Sequence, residues 1–153
     1  MRRDKFYESL PYLVRAVRVN QRSFSCYYML GTAAYNLKQY KEAAEAFRAA
    51  TVLIPQSAPA QVKYGMVLRI HGDYVNAEKT LLKALSLSKD FPNADAHWQI
   101  ALLYEKLGRF SEAATNLEKY LKIQPDAENK QQIKKLINSM KTKPDIKKQF
   151  ANS

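Results

Sequence analysis

The sequence predicts an all-α fold of stacked helix pairs, and three observations carry that prediction. Three segments of 34 residues, 24–57, 58–91 and 94–127, align with one another, with only Pro92 and Asn93 inserted before the third. Within each segment apolar residues recur three and four apart in two blocks, the spacing of two amphipathic helices of about four turns each. Small residues fall at the same places in every copy, where they let paired helices approach closely. A single helix pair cannot bury its apolar stripe alone, so neighbours must stack.

The elements follow in chain order. Residues 1–22 continue the register backwards, with Phe6, Leu13 and Ala16 at repeat places 17, 24 and 27. They predict a half repeat: a second helix whose first helix is absent. Its stripe of Phe6, Leu10, Leu13, Val14 and Val17 has no preceding helix to cover it. Three readings stay open: upstream residues are missing, another copy or a partner covers the stripe, or the helix is a plain cap on the first full repeat. Pro11 falls in the second turn, where it starts or kinks the helix.

In the three full repeats, place 8 holds Gly31, Gly65 and Ala101, and place 15 holds Lys38, Gly72 and Gly108. Place 15 lies between the two helices, where a backbone leaving a helix often needs positive φ. Place 17 is Tyr40, Tyr74 and Phe110; place 20 is Ala43, Ala77 and Ala113; place 24 is Phe47, Leu81 and Leu117; place 27 is Ala50, Ala84 and Tyr120. Residues 128–141 put Ile133, Leu136, Ile137 and Met140 on one stripe with Lys and Gln opposite, which predicts a polar-backed capping helix. Residues 142–153 predict a mobile basic tail.

This spacing resembles the tetratricopeptide repeat (TPR) pattern, W-x2-L-G-x2-Y, then A-x3-F, then P, and the resemblance covers residues 24–127. It implies antiparallel helix pairs wound into a right-handed superhelix, an α-solenoid whose concave groove holds a peptide or another protein's helix. The chain departs from the pattern at place 4, where Tyr27, Gln61 and His97 replace Trp, at Lys89 where a closing proline is usual, and at Ala101 where glycine is usual.

By the same resemblance the groove is lined by first-helix residues: Tyr28, Thr32 and Tyr35, then Val62, Lys63, Met66, Arg69 and Ile70, then Trp98, Leu102 and Glu105. An exposed cluster of Tyr28, Tyr35, Met66, Trp98 and Leu102 would mark an interaction site. Trp98 falls at place 5, facing the groove, unless the frame is off by one there and Trp98 is core. The clamp by which some TPR domains hold acidic chaperone C-termini is absent, since its places hold Tyr28, Thr32, Lys63, Asp95 and Gln99. The implied partner is another protein that offers an apolar or amphipathic segment, with Lys63 and Arg69 available for an acidic residue. Self-association through the N-terminal stripe is the second reading.

Catalysis finds little support. Cys26, His71 and His97 fall in three different repeats, all four glycines are explained by repeat places, and Glu42, Glu45, Glu112 and Glu118 sit beside lysines on second helices. The sequence predicts no enzyme, no cofactor and no metal site. The net charge of +11 is concentrated at the ends: residues 1–22 carry six basic and two acidic residues, and residues 128–153 seven and two. Such charge suits solubility or steering towards an acidic surface better than a nucleic-acid track, so nucleic acid is not expected as the main partner, and RNA or anionic-surface binding through the basic ends stands as the third and most remote reading. One cysteine fits a reducing compartment, and no apolar run approaches membrane-spanning length, which together predict a soluble cytoplasmic chain.

Overall fold

The structure, a computed structural model, describes residues 2–146. They form eight helices: α1 (Arg2–Val19), α2 (Phe24–Asn36), α3 (Tyr40–Leu53), α4 (Ala58–His71), α5 (Tyr74–Leu87), α6 (Ala94–Lys106), α7 (Phe110–Ile123) and α8 (Lys130–Thr142). No strand occurs among the described residues. The chain divides into two compact units, Met1–Leu87 with α1 to α5 and Ser88–Ser153 with α6 to α8.

In the three full repeats each first helix begins at a side chain that satisfies one of its open N–H groups. Ser23 Oγ accepts from the Cys26 N–H at 3.3 Å, Ser57 Oγ from the Ala60 N–H at 3.3 Å, and Asn93 Oδ1 from the Ala96 N–H at 3.0 Å. Each first helix also ends alike. Place 15 takes positive φ in all three repeats, 63° at Lys38, 90° at Gly72 and 71° at Gly108. The next residue then donates back across the turn: Gln39 to the Ala34 carbonyl, Asp73 to Leu68 and Arg109 to Tyr104. Lys38 makes this turn without glycine's freedom.

In the first unit α2 pairs with α3 and α4 with α5, while α1 packs on α2 as α3 packs on α4. The pairs close at places 8 and 24. A Cβ on Gly31 would lie 2.8 Å from the Phe47 ring, and one on Gly65 2.6 Å from Leu81 Cγ. Ala43, Ala50, Ala77 and Ala84 are fully buried beside these contacts. α1 runs through Pro11 without a break, and the carbonyl of Tyr7 loses its helical donor there. Tyr7 and Pro11 both lie on the exposed side of α1.

In the second unit α6 pairs with α7, and α8 buries Ile133, Ile137 and Met140 against α7. Lys141 bonds to Glu118 across the same contact. Of the predicted mobile tail, 142–153, Thr142 closes α8 and residues 143–146 are held against the turn between α6 and α7. The Ile146 N–H donates to the Gly108 carbonyl at 2.9 Å, and the Ser111 N–H donates to Asp145 Oδ1 at 2.8 Å. The physical reason lies at the start of α7, where Arg109 supplies no side-chain cap and Asp145 fills that role from 34 residues away. Residues 147–153 of the predicted tail lie outside the described residues.

Candidate functional site

In the first unit the candidate site is an apolar cavity of about 450 Å³ between α1 and α2. α1 contributes Phe6, Ser9, Tyr12 and Leu13, and α2 contributes Tyr28, Met29, Thr32 and Ala33. Helical spacing explains the set, because these residues recur three and four apart on facing stripes. The polar members make little demand on the space. Ser9 Oγ donates to the Phe6 carbonyl at 3.0 Å and Thr32 Oγ1 to the Tyr28 carbonyl at 2.9 Å. Tyr28 is held by aromatic contacts, stacked on Phe24 and edge-on to Phe47, each at 5.7 Å between centroids. Tyr12 and Met29 stand at the mouth, 77% and 56% exposed.

The predicted N-terminal stripe is therefore divided between two sides of α1. Phe6 and Leu13 face the cavity with Tyr28 and Thr32. Leu10 and Val14 line a smaller cavity of about 290 Å³ with Tyr27, Leu30 and residues of α3. Val17 is half-buried. Ser9, Tyr12 and Ala33 were not among the residues singled out from sequence; their signal was only their helical neighbourhood with Phe6 and Met29.

The other first-unit candidates differ in exposure. Val62 and Met66 are buried, at 5% and 6%, so neither stands as a surface anchor. Met66 belongs to a core cluster with Ala34, Ala43, Phe47 and Val67, because the preceding pair α2 and α3 lies over that stripe of α4. Tyr28, Tyr35 and Ile70 are half-buried and pack against the same cluster. Tyr35 leans on Tyr40 at 5.9 Å. Lys63 and Arg69 are half-buried on α4. Burial pulls the Arg69 guanidinium below its ordinary pKa, opposed by the nearby phenols of Tyr35 and Tyr74.

In the second unit Trp98 is half-buried, its ring tilted against Tyr120 of α7 at 5.2 Å. The large Tyr120 occupies place 27, where Ala50 and Ala84 sit in the other repeats, and this gives Trp98 a brace within its own helix pair. Leu102 and Glu105 are half-buried on α6. His97 Nδ1 lies 2.9 Å from Asn116 Oδ1, and Arg109 pairs with Glu112 at 2.6 Å while lying over the Tyr104 ring at 3.9 Å. These polar side chains tie α6 to α7.

Cys26 is a half-buried thiol on α2, and among the described residues no group of three or more His, Cys, Asp or Glu side chains is placed to hold a metal ion. No helix of the described residues is long and apolar enough to cross a membrane.

Comparison with known proteins agrees with this architecture. Models described as tetratricopeptide repeat match residues 24–57 and 56–126. No curated protein matches the chain by sequence. Among solved structures, MamA is similar over 90% of this chain and 74% of its own, with 21% identity and a TM-score of 0.78. YrrB, described as a TPR protein with an unusual peptide-binding site, is similar over 86% and 67%, with 25% identity and a TM-score of 0.77. The TPR domain of Arabidopsis OM64 is similar over 76% and 94%, with 22% identity and a TM-score of 0.70. With its helix pairs, its place-8 and place-15 geometry and both repeat models in agreement, the chain belongs to the tetratricopeptide repeat family.

Proposed function

We propose that this chain is a non-catalytic scaffold that captures an apolar or amphipathic segment of another protein on the faces of its first helices. TPR proteins are protein-interaction scaffolds in general, and the observation that supports the finer reading is the cavity beside Tyr28 and Thr32. Its wall is apolar, its volume is about 450 Å³, and it opens past the exposed Tyr12 and Met29. Exposed apolar surface of this kind persists where something covers it in use. YrrB, with its unusual peptide-binding site, is a precedent for peptide binding on this fold. In the second unit Trp98, Leu102 and Glu105 offer a further contact face on α6. A cytoplasmic setting suits the lone thiol of Cys26.

The test is quantitative capture from a cell extract with the full chain, its Thr32→Lys variant and its Trp98→Ala variant. Proteins retained by the parent and lost by a variant of unchanged helix content support the reading. Identical captured sets for all three contradict it.

A second reading has its own observation, the half-buried stripe of α1 with Tyr12 exposed at its edge. On this reading α1 of one copy covers α1 of another. Sedimentation of the purified chain at several concentrations tests it, and a monomer throughout rejects it.

A further inference from the structure

The three turns that join first to second helices share one backbone shape, with positive φ at Lys38, Gly72 and Gly108. At the α6–α7 turn, within the second unit, that shape holds another stretch of chain. The Ile146 N–H donates to the Gly108 carbonyl at 2.9 Å, and Asp145 Oδ1 accepts from the Ser111 N–H at 2.8 Å. Lys143 Nζ stands 5.2 Å from the centre of the Phe110 ring. Four consecutive residues thus meet the turn in three ways: a main-chain bond, a carboxylate on a helix start and a cation over a ring.

We infer that the α6–α7 turn is a recognition site for an extended segment that carries aspartate followed by an aliphatic residue, and that residues 143–146 are its resident ligand. The site uses the turn and the start of α7 rather than the faces of the first helices, so it stands independently of the reading above.

Two features of the turn select the segment, and each of the other turns lacks one. The first is the missing side chain at place 15. A Cβ on Gly108 would lie 2.7 Å from Ile146 Cγ1, so the aliphatic residue takes the space a side chain would fill. Backbone shape alone does not demand glycine there, because Lys38 holds φ 63° at the same place. The second is the uncapped start of α7, where Arg109 offers no side-chain acceptor to the first N–H groups. A carboxylate from elsewhere satisfies one of them and meets the positive end of the helix. At the α2–α3 turn the start of α3 is likewise uncapped, but Lys38 brings a Cβ. At the α4–α5 turn Gly72 is open, but Asp73 already accepts from the Asn76 N–H at 3.3 Å, and its charge opposes a second carboxylate.

The contact is shallow, since Ile146 remains 64% exposed. The site is filled because α8, packed on α7, ends at Thr142 and delivers the segment at high local concentration. A free segment of the same chemistry lacks that tether and competes only at about millimolar concentration. A partner protein carrying such a segment gains the site when a second contact holds it to the chain.

The test uses the full, isotope-labelled chain with Asp145→Ala and Ile146→Ala, which displaces the resident, and a blocked hexapeptide of residues 141–146. The Gly108 and Ser111 amide resonances are expected to shift saturably at about millimolar peptide, and roughly tenfold less in the parent chain, whose site is filled. Alanine in place of the peptide's aspartate is expected to remove the saturation. Gly108→Asn, added to the emptied chain, is expected to do the same with helix content unchanged by circular dichroism, because asparagine tolerates positive φ but brings a Cβ. Lys38→Gly, added instead, is expected to create a second responsive turn at residues 38–41. In the parent chain the Ile146 methyl and Gly108 α protons are expected to show cross-relaxation. Absence of saturable shifts at Gly108 and Ser111, equal binding of the alanine peptide, or unchanged binding to the Gly108→Asn chain overturns the inference. So does absence of the Ile146–Gly108 cross-relaxation. Silence of residues 38–41 in the Lys38→Gly chain overturns the selection argued from place 15.

Discussion

The Trp98 ring rests tilted against Tyr120, 5.2 Å between centroids, so the chain's single tryptophan is braced inside its own helix pair. Trp98→Ala and Tyr120→Ala are each expected to lower stability by about 1–3 kcal/mol, below the range for a fully buried aromatic. Their coupling in a double-mutant cycle is expected at about 0.5–1.5 kcal/mol. Urea denaturation of the four proteins measures it. Additive losses would show that the two rings do not support each other.

The close approach at places 8 and 24 makes a second prediction. Gly65→Ala forces Leu81 or the helices apart, since the new Cβ would lie 2.6 Å from Leu81 Cγ, and a loss of about 1–3 kcal/mol is expected. Combined with Leu81→Ala, the added cost of the methyl group is expected to shrink, because the space it needs has been vacated. Thermal unfolding of the single and double variants reads this directly.

Place 15 tests backbone conformation without touching the core. Lys38 holds φ 63° where the other repeats use glycine. Lys38→Gly is expected to raise stability by up to about 1 kcal/mol, and Gly72→Ala, at φ 90°, to lower it by about 1 kcal/mol. An added Cβ at Gly72 meets no neighbouring atom, so any loss there is conformational. Chemical denaturation of both variants gives the two signs.

Most of the helical plan was legible because it repeats. The turn at place 15 and the small residues of places 8 and 20 are local signals, and each predicted a helix end or a close approach. Exposure was less legible, since it depends on which neighbour covers a stripe. Met66 and Thr32 share place 9, yet Met66 is core beneath α2 and α3 while Thr32 opens on a cavity beside α1 alone. The brace on Trp98 was visible only as Tyr120 standing where alanine is usual. The hold of Asp145 on Ser111 joins residues 34 apart, and no periodicity reports such a contact.

That hold carries a pH dependence. Hydrogen bonds from the Ser111 N–H and then its side chain keep the Asp145 carboxylate below its ordinary pKa, against an opposing effect of desolvation, with further lowering from Phe110 and Arg109. The ionised form is the one favoured in the folded chain. Its contribution is therefore fully present above the unfolded pKa and is lost as pH falls through the folded one. Acidification below the usual carboxylate range is expected to release residues 143–146 from the α6–α7 turn. The Ser111 amide resonance should shift in step with Asp145 protonation, and Asp145→Ala should abolish that shift. A Ser111 amide that ignores acid in the parent chain would contradict the contact.

The central proposal, that the face shared by α1 and α2 is where this scaffold takes its partner, is tested most directly by hydrogen exchange on the full chain with and without a protein that the parent chain captures and the Thr32→Lys variant does not. The account predicts slowed exchange in residues 6–13 and 28–33 on adding that protein, with α8 unchanged. Unaltered exchange across residues 6–13 and 28–33 at a saturating concentration of that protein would contradict it.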